Sequence, residues 1–110
     1  MKALVVVDGG ICGFQTRIHT ESDDSQNVTF KIASACEKAR TFAEALTAKG
    51  PVDGYAEIGA GSDGVVLTTA RESLKGCCAA CAVPVGAFKA TQVAAGVALP
   101  GDVMLKITGA

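Results

Sequence analysis

Three of the five cysteines, Cys77, Cys78 and Cys81, fall within the stretch GCCAACAVP at residues 76 to 84; the other two, Cys12 and Cys36, are far away in sequence. Cys78-Ala79-Ala80-Cys81 is a C-x-x-C. A thiolate is both a metal ligand and a nucleophile, so this composition points to metal binding or thiol chemistry. Cys12 lies among Gly9, Gly10 and Gly13, and Cys36 and Cys81 each precede a helical pattern. Free backbone N–H groups and the helix dipole at such positions stabilise a thiolate. Glycine turns and helix starts also let ligands from separate segments converge on one ion.

Three readings follow. In the first, Cys12, Cys36, Cys81 and either Cys78 or, as the alternate, Cys77 hold zinc or an iron–sulfur cluster. One C-x-x-C with two distant cysteines is a weaker pattern than two C-x-x-C pairs. In the second, Cys81 is the reactive group: it carries sulfur as a persulfide or exchanges disulfides with Cys78, and the helix start lowers its pKa. In the third the thiols are structural, with Cys36 and Cys77 serving as small buried hydrophobes. The rest of the chain offers less. His19 sits between Arg17 and Glu21 on the polar face of a strand, as a solvated side chain would. Asp23-Asp24 reads as a solvated turn. Gly59-Ala60-Gly61 lacks the preceding strand and following Lys-Ser/Thr of a phosphate loop. No Ser-His-Asp spacing and no pair of carboxylates suggests hydrolytic chemistry.

The elements that must position these cysteines can be read from periodicity. Residues 2 to 8 (KALVVVD) form a valine-rich strand. Phe14, Thr16 and Ile18 alternate with Gln15, Arg17 and His19; SDDSQ turns the chain; Val28, Phe30 and Ile32 alternate again, giving a half-buried hairpin over 14 to 33. Ser34-Ala35-Cys36-Glu37 fits a capping box, S-x-x-E, which places Cys36 in the first turn of a helix through Ala39, Phe42, Ala43 and Leu46. Residues 51 to 62 read as a glycine-rich loop with a short extended or helical piece at Tyr55 to Ile58. Asp63 caps a second helix through Val66, Leu67, Ala70 and Leu74. Pro84 opens a third, rich in small residues that allow close approach to a sheet. Leu99-Pro100-Gly101-Asp102 ends it, and residues 103 to 107 (VMLKI) form a final strand.

This order predicts a single α+β domain over 1 to 110. It is a two-layer sandwich, with a mostly antiparallel sheet of about four strands and about three helices on one face. With 49% hydrophobic residues the 110-residue chain can build a core without disulfide staples. Lys and Arg number 10 against 11 Asp and Glu, and aromatics are 5%, so neither a nucleic-acid surface nor a base-stacking platform is expected. The apolar run Ala3 to Val7 is too short for a signal-peptide core. No stretch reads as a membrane span, and the chain is expected in the cytoplasm.

The stretches GGICGF (9 to 14), ASACEK (33 to 38) and ACAVPVGAFKATQVAAGVALPGDV (80 to 103) resemble a family of small cysteine-containing proteins found mainly in anaerobic prokaryotes, for which no activity is established. That family's usual form near position 81 resembles C-P-V-P, with a His where Cys78 stands here. A His-for-Cys exchange is one that a metal ligand tolerates. Residues 81 to 107 also look like part of the TusA-type sulfur carriers, with Cys81, Pro84, Pro100, Gly101 and Asp102 matching. Here Ala82 replaces the first proline, and the motif lies near the C-terminus instead of the N-terminus. This second resemblance implies a persulfide at Cys81. Taken together, the expectation is a binding or carrier module, not a turnover enzyme, with a protein partner in metal or sulfur transfer.

Overall fold

The computed structural model describes residues 1–109. Four strands form one antiparallel sheet in chain order: β1 (Lys2–Asp8), β2 (Gln15–Glu21), β3 (Asn27–Ser34) and the two-residue β4 (Val52–Asp53). Four α-helices accompany it: α1 (Glu37–Ala48), α2 (Gly54–Ala60), α3 (Val65–Ser73) and α4 (Val83–Ala94). The fold is α+β, as the grouping of strands and helices implies.

The alternation in β2 sets the register. Thr16, Ile18 and Thr20 are buried while Gln15, Arg17, His19 and Glu21 face out. Ile18 lies opposite Val5 on β1 and Ile32 on β3, so one apolar row crosses three strands. A one-residue slip would turn that row to solvent. The turn after β2 is anchored by Asp24. Its carboxylate accepts the Gln26 and Asn27 backbone N–H groups and the Asn27 side-chain amide. These bonds hold its pKa far below the usual carboxylate range. Asp24 therefore has a structural part in the turn beyond simple solvation.

Helices α1 and α4 cover the inner face of the sheet, α1 against β3 and α4 against β1 and β2. Phe42, Leu46, Val66, Ala87 and Ala90 fill the space between. The small residues of α4 permit the close approach: a Cβ at Gly86 would stand 2.7 Å from Val7 Cγ2 and 3.2 Å from Val5 Cγ1. Further along, Thr20 Oγ1 donates to the Ala90 carbonyl at 3.0 Å, and Ala95 packs beside Gly54. The helix therefore begins at the end of the sheet where β1 finishes and ends where β1 starts. Helix α3 packs against both α1 and α4.

Four expectations need correction. The short piece at Tyr55 to Ile58 is helical and longer than expected: residues 54–60 form α2, because Asp53 caps it by accepting the Tyr55 and Ala56 N–H groups. Asp63 does not cap α3; the helix follows Gly64, and its first amides are met by Glu57. Residues 103 to 107 form no strand: they are exposed and pair with no other described residue. Gly76–Ala94 is long and apolar enough, by length and composition, to cross a membrane. Here it is divided at Cys81, whose backbone is extended, and its α-helical part lies on the sheet.

Candidate metal centre

The topology carries four cysteines to one end of the molecule. Strand β1 runs out into a 3-10 turn, Gly10–Cys12, before β2 returns. Strand β3 ends beside the start of β2, with Ser34 opposite Thr16, and Cys36 follows two residues later. Helix α4 starts at this same end, preceded by the 3-10 turn Gly76–Ala80 and Cys81. Charge on Cys36, on Cys12 and on Cys78 opposes ionisation of Cys81, so each of these three thiols lies within electrostatic reach of Cys81. Cys77, next to Cys78 in sequence, is exposed.

Local chemistry fixes each segment. Around Cys12 the chain turns tightly enough for the Gly9 N–H to donate to the Phe14 carbonyl at 2.9 Å. Gly13 leaves the turn with φ 75°, a left-handed backbone that glycine adopts without strain. The Cys12 thiol donates to the Gly9 carbonyl at 3.6 Å, and a Cβ on residue 9 would collide with that sulfur at 2.5 Å. Only glycine at position 9 leaves the thiol its place.

Cys36 is the N-cap of α1, two positions earlier than a capping box led by Ser34 would place it. Ser34 Oγ accepts the Cys36 N–H at 3.1 Å and the Thr16 hydroxyl at 2.8 Å, tying the turn to β2. The Arg40 guanidinium donates to the Ala35 carbonyl at 3.0 Å, which brings a positive charge to the turn that bears Cys36.

Cys78 and Cys81 are half-buried and pack against the main core, whereas Cys77 and Cys12 are exposed. The structural reading takes Cys36 and Cys77 as buried; in the 3-10 turn it is Cys78, a third of a turn on from Cys77, that faces inward. All five thiols are free.

The electrostatics of Cys81 also differ from expectation. The Val83 backbone N–H donates to it and favours the thiolate, as a helix start should. Burial outweighs that bond, and the three neighbouring thiols add to it, so the pKa moves up from an ordinary value of 9.0. The helix start does not lower it on balance. A consequence can be measured. In metal-free protein, alkylation of Cys81 is expected to be slow at neutral pH and to gain rate steadily as pH rises, still climbing at the ordinary thiol value of 9.0, followed by mass spectrometry of the labelled peptide. The sign for stability is the same: folding holds the proton on Cys81 more tightly than the unfolded chain does. Its contribution is thus full below the unfolded pKa and lost as pH rises through the folded one. Rapid labelling of Cys81 at pH 7 would contradict this account.

The donor set suits a soft metal. Thiolates favour zinc, copper(I) and iron–sulfur clusters over hard cations. Among the described residues, however, no three His, Cys, Asp or Glu side chains are already disposed around a common ion position. The thiols are gathered but not closed. Two of them, Cys12 and Cys78, sit on short 3-10 turns that contain no fully buried residue.

Residues 3–107 match a family of unknown function, DUF6951, and the chain belongs to that family. No curated protein and no solved structure matches it.

Proposed function

We propose that this chain binds zinc or an iron–sulfur cluster through Cys12, Cys36, Cys78 and Cys81, with Cys77 as the alternate to Cys78. It would act in cytoplasmic metal or sulfur handling as a binding or carrier module that passes its cargo to a protein partner. The observation that supports this reading is the convergence of thiols from three separate segments upon Cys81. Crowded thiols resist ionisation when no cation is present. A bound cation reverses the balance, since a coordinating thiol is deprotonated outright. Four thiolates would hold zinc as a closed structural or storage site, or a cluster with electron-transfer capacity. The family resemblance in which His replaces Cys78 agrees with a ligand at that position.

A second reading has one observation in its favour, the Val83 N–H that donates to Cys81. Here the Cys81 thiolate attacks the outer sulfur of a donor protein's persulfide. A new S–S bond forms on Cys81, and the donor's cysteine leaves as thiolate. The likeness to TusA-type carriers belongs to this reading. The upward shift of Cys81 weighs against it, because the attacking group must be ionised.

The test is the metal and acid-labile sulfide content, with a visible spectrum, of protein purified without oxygen or chelator. Near-stoichiometric iron with sulfide identifies a cluster, and colourless stoichiometric zinc a closed thiolate site. Absence of both sinks the metal reading and leaves Cys81 as a sulfur-carrying thiol, to be checked by its alkylation rate.

A further inference from the structure

Residues 103 to 107, VMLKI, have the alternation and β-branched content of a strand, yet among the described residues they pair with none. Val103, Met104, Leu105 and Ile107 are 60%, 86%, 78% and 89% exposed. An apolar segment this open is a recognition element or a liability. Pro100-Gly101 precedes it, so the chain leaves the end of α4 through a break that helical structure does not cross.

The same molecule carries the complementary half. Strand β1 has β2 on one side and no strand on the other. Sheet edges are ordinarily blunted by charge, proline or a bulge. Here the charges stand only at the two ends, Lys2 and Asp8, and the middle reads Ala-Leu-Val-Val-Val. Leu4 and Val6 are about half exposed on the outer face of β1, and so is Val85 on the helix that covers its inner face. An unguarded strand edge and an unpaired strand-like tail thus coexist in one chain, each lacking what the other supplies.

We infer that the tail of one copy adds as a fifth strand to the β1 edge of a second copy, and reciprocally, making a two-fold dimer by exchange of residues 103 to 107. Backbone hydrogen bonds along β1 supply the pairing, and the alternate side chains Val103, Leu105 and Ile107 supply the apolar contact. An exchange of identical segments closes under two-fold symmetry, so it yields a dimer and not a fibre. The occupant is a second copy because the segment whose length and pattern fit the edge is the chain's own. This surface is independent of the cysteines.

The experiment is sedimentation equilibrium of the full-length chain across a dilution series, in reductant and chelator so that no metal bridges two copies. Hydrogen–deuterium exchange of β1 accompanies it. The expected result is a dimer with protected β1 amides. In full-length protein carrying Leu105→Asp with Ile107→Asp, dissociation should rise at least roughly tenfold, with β1 exchange accelerated and the far-ultraviolet spectrum of the dissociated chain unchanged. The tail is exposed in the single chain, so these substitutions leave its folding intact. A full-length chain that stays monomeric, with the tail either free or folded onto its own β1, overturns the inference. So does a dimer that persists unchanged in the doubly substituted chain.

Discussion

Zinc at a thousandfold excess over its dissociation constant is expected to raise the melting temperature of the reduced, metal-free protein by at least roughly 15 °C. A ligand that binds only the folded state contributes about 4 kcal/mol at that excess, and for a domain of this size each kcal/mol moves the midpoint by about 4 °C or more. The four thiols come from three segments of the chain, so an ion that joins them ties the 3-10 turn after β1, the start of α1 and the start of α4 to one point. Cys36→Ser and Cys12→Ser should each remove most of the shift, because a hydroxyl is a far poorer ligand than a thiolate. Cys77→Ser should keep it, since Cys77 is exposed while the half-buried Cys78 is the preferred ligand of the two. The shift should also grow with pH, as binding requires the thiols to release protons. Differential scanning fluorimetry on the five cysteine variants decides the matter. A shift that survives Cys36→Ser would mean that zinc is held elsewhere, and the absence of any shift would leave no zinc site to explain.

The parts of this arrangement that sequence reveals are those governed by short-range pattern. Thr16, Ile18 and Thr20 announce their inward face by strict alternation, and the structure buries all three. Pro84 marks the start of α4 because its fixed φ suits a first helical turn. Cys36 and Cys81 can be placed at helix starts by the same logic. Their meeting is different. It depends on β1 and β3 ending at one edge and on α4 beginning there, which is a property of topology, and no residue spacing encodes it.

The errors have the same origin. Helix α2 contains Gly54 and Gly59, poor helix formers, and depends on a cap from Asp53 at the end of a strand only two residues long. Asp63 has the side chain of a good N-cap, but a competing carboxylate already occupies the amides it would serve. The tail reads as a strand because its intrinsic preference is for one. A strand also needs a neighbour, and periodicity says nothing about whether one is present.

That competing carboxylate, Glu57, carries no local pattern that singles it out, and its removal should have the second large effect. It is only 3% exposed. Its two oxygens accept the backbone N–H groups of Val65 at 2.8 Å and Val66 at 2.7 Å, the first amides of α3. The negative charge is thus placed where the helix dipole favours it. Gly64 makes room: a Cβ there would lie 2.5 Å from Glu57 Oε2. Glu57→Ala removes two charge-assisted hydrogen bonds and leaves the Val66 amide buried without a partner, a loss of about 4 kcal/mol. The melting temperature should fall by about 15 °C or more. Glu57→Gln keeps one acceptor but turns an amide donor toward an N–H, so it should fall between. A loss below about 1 kcal/mol for Glu57→Ala would mean that water replaces the carboxylate at no great cost. This capping site is built on α2, which packs at the far end of α4 from Cys81. Independent sites contribute additively. The zinc-induced shift should therefore persist in Glu57→Ala protein, displaced to a lower starting temperature, whereas a shift that vanished with Glu57 would show that the fold must be intact at both ends before the thiols can close.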